Sequence, residues 1–152
     1  MKFQKYASSS VEEVFDKDKL GNALHLEATT LATSLFINEA GKFKQQSLPL
    51  LAQVSPVNGI IVNDFDHDKI NDLLLAGNNF SSSVELGRYD AGNGLFLKGS
   101  SGNKYLPIPP AQSGISAPGD VKDIKLIRLA NGKTALLVAN NNDRLQVFMV
   151  AK

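Results

Sequence analysis

The chain repeats itself, and the spacing of the repeat limits what it can fold into. Leu73-Leu74-Leu75-Ala76-Gly77-Asn78-Asn79 and Leu136-Leu137-Val138-Ala139-Asn140-Asn141-Asn142 carry the same apolar run closed by the same polar step, 63 residues apart. A second, unrelated pattern recurs at nearly that distance. Ser34-Leu35-Phe36-Ile37, Gly41-Lys42-Phe43 and Leu48-Pro49 are matched by Gly94-Leu95-Phe96-Leu97, Gly102-Asn103-Lys104-Tyr105 and Leu106-Pro107, with an offset of 60. A fixed period means one structural unit used more than once, each copy covering its neighbour's apolar face. A period near 60 is too long for a helical solenoid unit and fits a four-stranded propeller blade with long loops.

Short β-rich runs bounded by Gly, Asn, Ser and Pro predict strands at Thr33–Asn38, Lys42–Gln46, Gly59–Asn63, Asp72–Ala76, Gly94–Lys98, Lys104–Ile108, Ile124–Leu129, Thr134–Ala139 and Arg144–Val150. Asn131-Gly132 predicts a tight hairpin in which both central residues take positive φ. The predicted fold class is mainly β: an incomplete β-propeller of two to three four-stranded antiparallel blades behind a short N-terminal helical segment. The phase of the repeat places a partial blade at 34–56, a full blade at 57–110 and a partial blade at 114–152. A propeller closes with four or more blades, and fewer would leave sheet edges and apolar faces open. Either the chain is the C-terminal piece of a longer propeller, or it is a unit that completes itself as a homo-oligomer.

Residues 1–33 read as a helix/strand extension. Ser10-Val11-Glu12-Glu13 is a capping box, and Val11, Val14 and Phe15 share one helical face. A second short helix starts at Asp18, and from Ala23 the alternation of Leu24, Leu26 and Ala28 predicts a strand.

Composition excludes several function classes. Among 152 residues the formal net charge is +1, so no basic field invites nucleic acid. With no cysteine there is no disulfide, thiolate zinc site or cysteine nucleophile. No apolar run approaches the ~20 residues of a membrane helix. Met1-Lys2-Phe3-Gln4-Lys5 leads into serines and not into the apolar core of a signal peptide.

The segment with most chemistry lies between two predicted buried strands. Asp64, Asp66, Asp68 and Asp72 stand at positions one, three, five and nine of Asp64-Phe65-Asp66-His67-Asp68-Lys69-Ile70-Asn71-Asp72. Four carboxylates so close repel one another unless a cation sits among them. A tight loop turning alternate side chains inward makes an oxygen cage for a hard ion, with the carbonyl of Ile70 at position seven as a further ligand. An EF-hand wants glycine at position six and glutamate at twelve; Lys69 and Leu75 stand there. A haloacid-dehalogenase-type Asp-x-Asp wants threonine or valine where Asp68 stands, followed by alternating helices. A solvated acidic turn without metal is the remaining alternative.

This segment resembles the FG-GAP, or VCBS-type, repeat family of integrin-like β-propellers. Its motif is Asp-x-Asp-Gly-Asp-Gly-x-x-Asp followed by an apolar strand and often Gly-Asn, as in Leu73-Leu74-Leu75-Ala76-Gly77-Asn78. Phe36-Ile37-Asn38-Glu39-Ala40-Gly41-Lys42-Phe43 is similar to a second element of such proteins. The resemblance runs from about Ser34 to the end. It implies one calcium site, with Asp64, Asp66, Asp68, the carbonyl of Ile70 and Asp72 as ligands. His67 and Lys69 replace the two family glycines. It also implies export of the parent protein to the periplasm, outer surface or exterior.

Three functions remain open at this stage. The first is a non-catalytic, calcium-stabilised module that recognises a glycan or protein in the cell envelope. Its candidate ligand-binding loop is Glu85, Arg88, Tyr89 and Asp90, within the long stretch from Asn78 to Asn93. In the opposite reading Arg88 pairs with Asp90 or Glu85 and merely pins the loop. The second function is a structural scaffold repeat of a larger protein. The third is a metal-dependent hydrolase, against which the acidic segment offers no general base or nucleophile beyond the ligands themselves. The expectation is therefore a protein that is not an enzyme.

Overall fold

A computed structural model describes residues 2–15 and 17–151. The chain divides into one unit ending at Leu31 and another starting at Ala32. Among its described residues the first unit holds three short helices, α1 (Phe3–Ala7), α2 (Val11–Val14) and α3 (Lys17–Gly21). A capping box opens α2, the Ser10 N–H donating to Glu13 Oε2 at 2.9 Å. The helices are too short to be stable by propensity alone, and no apolar face is buried: Phe3, Val11 and Phe15 stay exposed. The strand expected from Ala23 does not form. Leu24 and Leu26 are more than four-fifths exposed, and residues 24–31 form no ladder. Alternation makes a strand only where a partner supplies hydrogen bonds and a core takes the apolar side.

The second unit is mainly β. It contains nine strands among the described residues: β1 (Ser34–Glu39), β2 (Lys42–Ser47), β3 (Gly59–Asn63), β4 (Asp72–Ala76), β5 (Leu95–Ser100), β6 (Lys104–Ile108), β7 (Val121–Arg128), β8 (Thr134–Asn140) and β9 (Gln146–Met149). Each expected strand is present, with ends shifted by up to three residues. They pair as three antiparallel meanders, β1-β2, β3-β4-β5-β6 and β7-β8-β9. Among the described residues the three sheets form no closed barrel or ring. No helix among the described residues is long and apolar enough to cross a membrane.

The middle sheet explains why β4 reads as an unbroken apolar run. All five of its residues are buried. Successive side chains point to opposite faces, and both faces are covered. Leu73 and Leu75 join Leu97, Leu48 and Ala52 in one cluster, edged by Leu35 and Val57. Leu74 and Ala76 join Ile61 and the third sheet's Val121, Ile124, Leu136 and Val138 in the other. Strands buried on both sides lose the polar–apolar alternation of a half-exposed sheet.

Polar side chains, two of them buried, fasten the middle and third sheets. Asn78, fully buried just past β4, donates through Nδ2 to the carbonyls of Gly92 (2.8 Å), Pro118 (3.1 Å) and Gly119 (3.0 Å) and accepts the Gly92 N–H. Asn58 bridges the carbonyls of Asn78 and Val121. Asp120, also buried, accepts from Lys122 Nζ at 2.6 Å, from Asn141 Nδ2 and from the Phe80 N–H. These bonds outweigh desolvation and hold the Asp120 carboxyl below the usual carboxylate range, the Lys122 ammonium contributing most.

The hairpins differ in chemistry. β7 and β8 are joined by a turn in which the Gly132 N–H returns to the Leu129 carbonyl at 2.9 Å, and Gly132 alone has positive φ. The expected two-residue turn with positive φ at Asn131 is therefore replaced by a type I turn closed by a left-handed glycine, the next commonest hairpin solution. Asn131 instead uses its side chain, accepting the Lys133 N–H at 3.0 Å.

Candidate metal centre

The acidic segment is the connection between β3 and β4, whose register runs from Gly59 opposite Ala76 to Asn63 opposite Asp72. Both ends of the loop are thereby fixed by ladder hydrogen bonds. Phe65 fixes its middle. The ring packs against the core cluster between the middle and third sheets and meets Phe96 edge-on, with centroids 5.5 Å apart. With Phe65 drawn inward, Asp64 and Asp66 on either side stay near the surface.

One carboxylate oxygen each from Asp64, Asp66 and Asp72 lie within 4.8 Å of one another. This cluster can hold a metal ion. Asp72 is its buried member, with no exposed surface. Its Oδ1 accepts the Gly99 N–H from β5 at 2.8 Å, and its Oδ2 accepts the Phe65 N–H at 3.1 Å. Two backbone donors make a buried carboxylate tolerable. Gly99 is required by this close approach, because a Cβ there would fall 2.3 Å from the Asn71 carbonyl oxygen.

The backbone curls around the first aspartate. Asp64 Oδ1 accepts the Asp68 N–H at 3.1 Å, and Asp64 Oδ2 accepts the Lys69 N–H at 2.9 Å. To aim those N–H groups inward the chain adopts the left-handed conformation at His67 (φ 63°) and Lys69 (φ 70°). Neither residue favours it, since a Cβ crowds the backbone there. These are the two positions at which the resembled motif carries glycine. Both side chains are exposed.

The other two expected ligands stand differently. Asp68 lies outside the group of three, its Oδ1 accepting the Ile70 N–H at 2.8 Å in a local side-chain turn. Ile70 is half-buried, its side chain lying over Gly99.

A cation already faces this cluster. Lys98, on β5, sends its ammonium to Asp66 Oδ2 in a direct ion pair and lies 3.9 Å from Asp68 Oδ2. The ammonium's hydrogen bond holds the Asp66 carboxyl below its ordinary range, and the same bond, with the nearby carboxylates, holds Lys98 above its own. Sequence reasoning missed Lys98, Phe65 and Gly99. Lys98 is 32 residues from Asp66 and appears as an ordinary strand lysine until β4 pairs with β5. Asp64 and His67 also line an open cleft shared with Asn131, Lys133 and Thr134 of the β7–β8 hairpin.

The second candidate site is the loop between β4 and β5. Asn79 and Tyr89 exchange two backbone hydrogen bonds of 2.9 Å and close it at its base. Arg88 stacks on Phe80, guanidinium carbon 5.0 Å from the ring centroid. Among the described residues it forms no ion pair with Glu85 or Asp90; the loop is held by the Arg88–Phe80 stacking and by the Asn79–Tyr89 backbone pairing. Glu85, Arg88, Tyr89 and Asp90 are all exposed. Comparison with protein-family profiles, with curated proteins and with solved structures finds no match for this chain.

Proposed function

We propose that this chain is a non-catalytic β-propeller segment of the FG-GAP type, stabilised by one calcium ion, that serves recognition of a glycan or protein at the cell envelope. The observation that carries this reading is the β3–β4 loop: three aspartates gathered within 4.8 Å, on a backbone turned left-handed at the two positions where the resembled repeat has glycine. All three ligands are carboxylates, the donor type of a hard cation. Opposed oxygens around calcium stand about 5 Å apart, given bonds of 2.3–2.6 Å, a spacing this cluster reaches without contraction.

When bound, the ion would neutralise the gathered carboxylates and tie the loop to β4 through Asp72. Asp72 would hold it from the buried side while its bonds to Phe65 and Gly99 keep the carboxylate aimed; Asp64 and Asp66 would hold it from the open side. Every residue of the cluster is thus engaged as a ligand or a strut, and the role is structural. In this reading the ring is completed by further sheets or by a second copy, because three meanders fall short of the four blades a propeller needs.

Calorimetric titration with calcium should give one site, and Asp66→Ala should abolish it; no binding at all would end the metal reading. The recognition role is assigned to the exposed loop at Glu85, Arg88, Tyr89 and Asp90. A glycan array that responds to the protein and dims in Arg88→Ala would support it. The stacking of Arg88 on Phe80 favours a scaffold role instead, and an unresponsive array with undiminished folding of Arg88→Ala would select that alternative.

A further inference from the structure

The ammonium of Lys98 faces the acidic loop. It pairs with Asp66, a member of the three-aspartate group, and stands 3.9 Å from Asp68. It is held there by the fold: Lys98 pairs with Leu106 of β6 in the register, and its neighbour Gly99 donates to Asp72, another member of the group. Its position is therefore set by the same ladder that sets the buried ligand.

We propose that Lys98 is an internal counter-ion that competes with the divalent cation for this loop. The inference rests on reading the loop as a cation site. The loop and its first β4 residue gather four aspartates at positions 64, 66, 68 and 72. Without a cation they repel, and the loop would open; the lysine supplies one positive charge and lets β3 and β4 stay in register. An arriving divalent ion brings two charges and takes Asp66 as a ligand. Asp66 carries a single negative charge, so a metal bound to its carboxylate draws on the same charge that holds the Lys98 ion pair. Two cations would also stand within a few ångströms of each other, which is unfavourable. The side chain of Lys98 is two-fifths exposed, on a flexible four-carbon stem, and has room to leave. The protein thus trades affinity for a loop that folds whether or not the ion is present.

The test uses the whole chain and calcium itself. Lys98→Met keeps the stem and removes the charge; Lys98→Gln serves if the methionine variant folds poorly. Calcium affinity should rise at least tenfold over the unaltered protein. In a chelator the same variant should unfold at a lower temperature than the unaltered protein, and calcium should reverse that order. Lys69→Met removes an equal charge from the same loop at an exposed position, and should change affinity less than about threefold, since charges facing water are screened. If the unaltered protein and Lys98→Met bind calcium equally, the counter-ion role is wrong while the cation site stands. If neither binds, the cation site itself is wrong and the inference falls with it. A gain in Lys69→Met as large as in Lys98→Met would reduce Lys98 to general electrostatics and overturn the proposal.

Discussion

The middle and third sheets are two copies of one sequence pattern in different surroundings. Leu73, Leu74, Leu75 and Ala76 on β4 correspond to Leu136, Leu137, Val138 and Ala139 on β8, 63 residues later. In both, the first and third residues face the preceding layer: Leu73 and Leu75 meet the cluster with Leu48, and Leu136 and Val138 meet the middle sheet. The second and fourth residues differ. Leu74 and Ala76 are covered by the third sheet, whereas Leu137 and Ala139 stay half-buried. The same run is interior in one copy and rim in the other, so covering, and not the residues, decides burial. The turns differ in the same way. The middle sheet carries the acidic loop and ends it in buried Asp72; the third has a short turn, and Ala135 occupies the place of Asp72.

The largest contrast should come from truncating the paired leucines. Leu74→Ala removes a side chain from a packed core and should cost about 4 kcal/mol, and Leu137→Ala about 1 kcal/mol. Urea unfolding of the two variants measures the difference. Equal losses would mean that the far face of the third sheet is covered in solution.

Asp72→Ala imitates the third sheet within the second. It leaves the N–H groups of Phe65 and Gly99 without their acceptor, so a loss of about 3 kcal/mol is expected. If the loss is well below 1 kcal/mol, water replaces the carboxylate and the loop does not depend on it.

Acid should weaken the seam between the two sheets. The Asp120 carboxyl is held below its ordinary range, chiefly by Lys122. Its contribution is therefore complete above the unfolded value near pH 4 and is lost as pH falls through the lower folded value. Asp120→Asn should flatten the fall of the urea midpoint in that acid window and leave its slope at neutral pH unchanged.

The smallest effect should be a gain. Lys69→Gly relieves a left-handed backbone at φ 70° and should raise stability by about 0.5–1 kcal/mol. Thermal unfolding in chelator separates this gain from any change in ion binding.

The strands of residues 34–149 were legible because apolar runs and turn residues are local signals. The four-carboxylate spacing was legible for the same reason. Three things were not. The alternation at Leu24 and Leu26 has a strand's rhythm, but a strand also requires a partner, and no property of residues 23–28 says whether one exists. Lys98 reaches Asp66 only after β4 and β5 pair across 32 residues. Asp68 sits at the right spacing for a ligand yet turns to its own backbone, bonding the Ile70 N–H. Spacing constrains which side chains are near, and hydrogen bonds within the loop choose among them.

Asn78 bears on how the protein comes into being. Its amide is satisfied by carbonyls 14, 40 and 41 residues further along the chain. During synthesis the strand before it is complete long before those acceptors leave the ribosome. Until Gly119 has emerged, the buried amide at the end of β4 has only Gly92 to bond and lacks the Pro118 and Gly119 carbonyls, and its apolar run lacks the sheet that covers it. The nascent chain is therefore most exposed to proteases and to chaperones over this interval, and it can lock only when the third sheet begins to arrive.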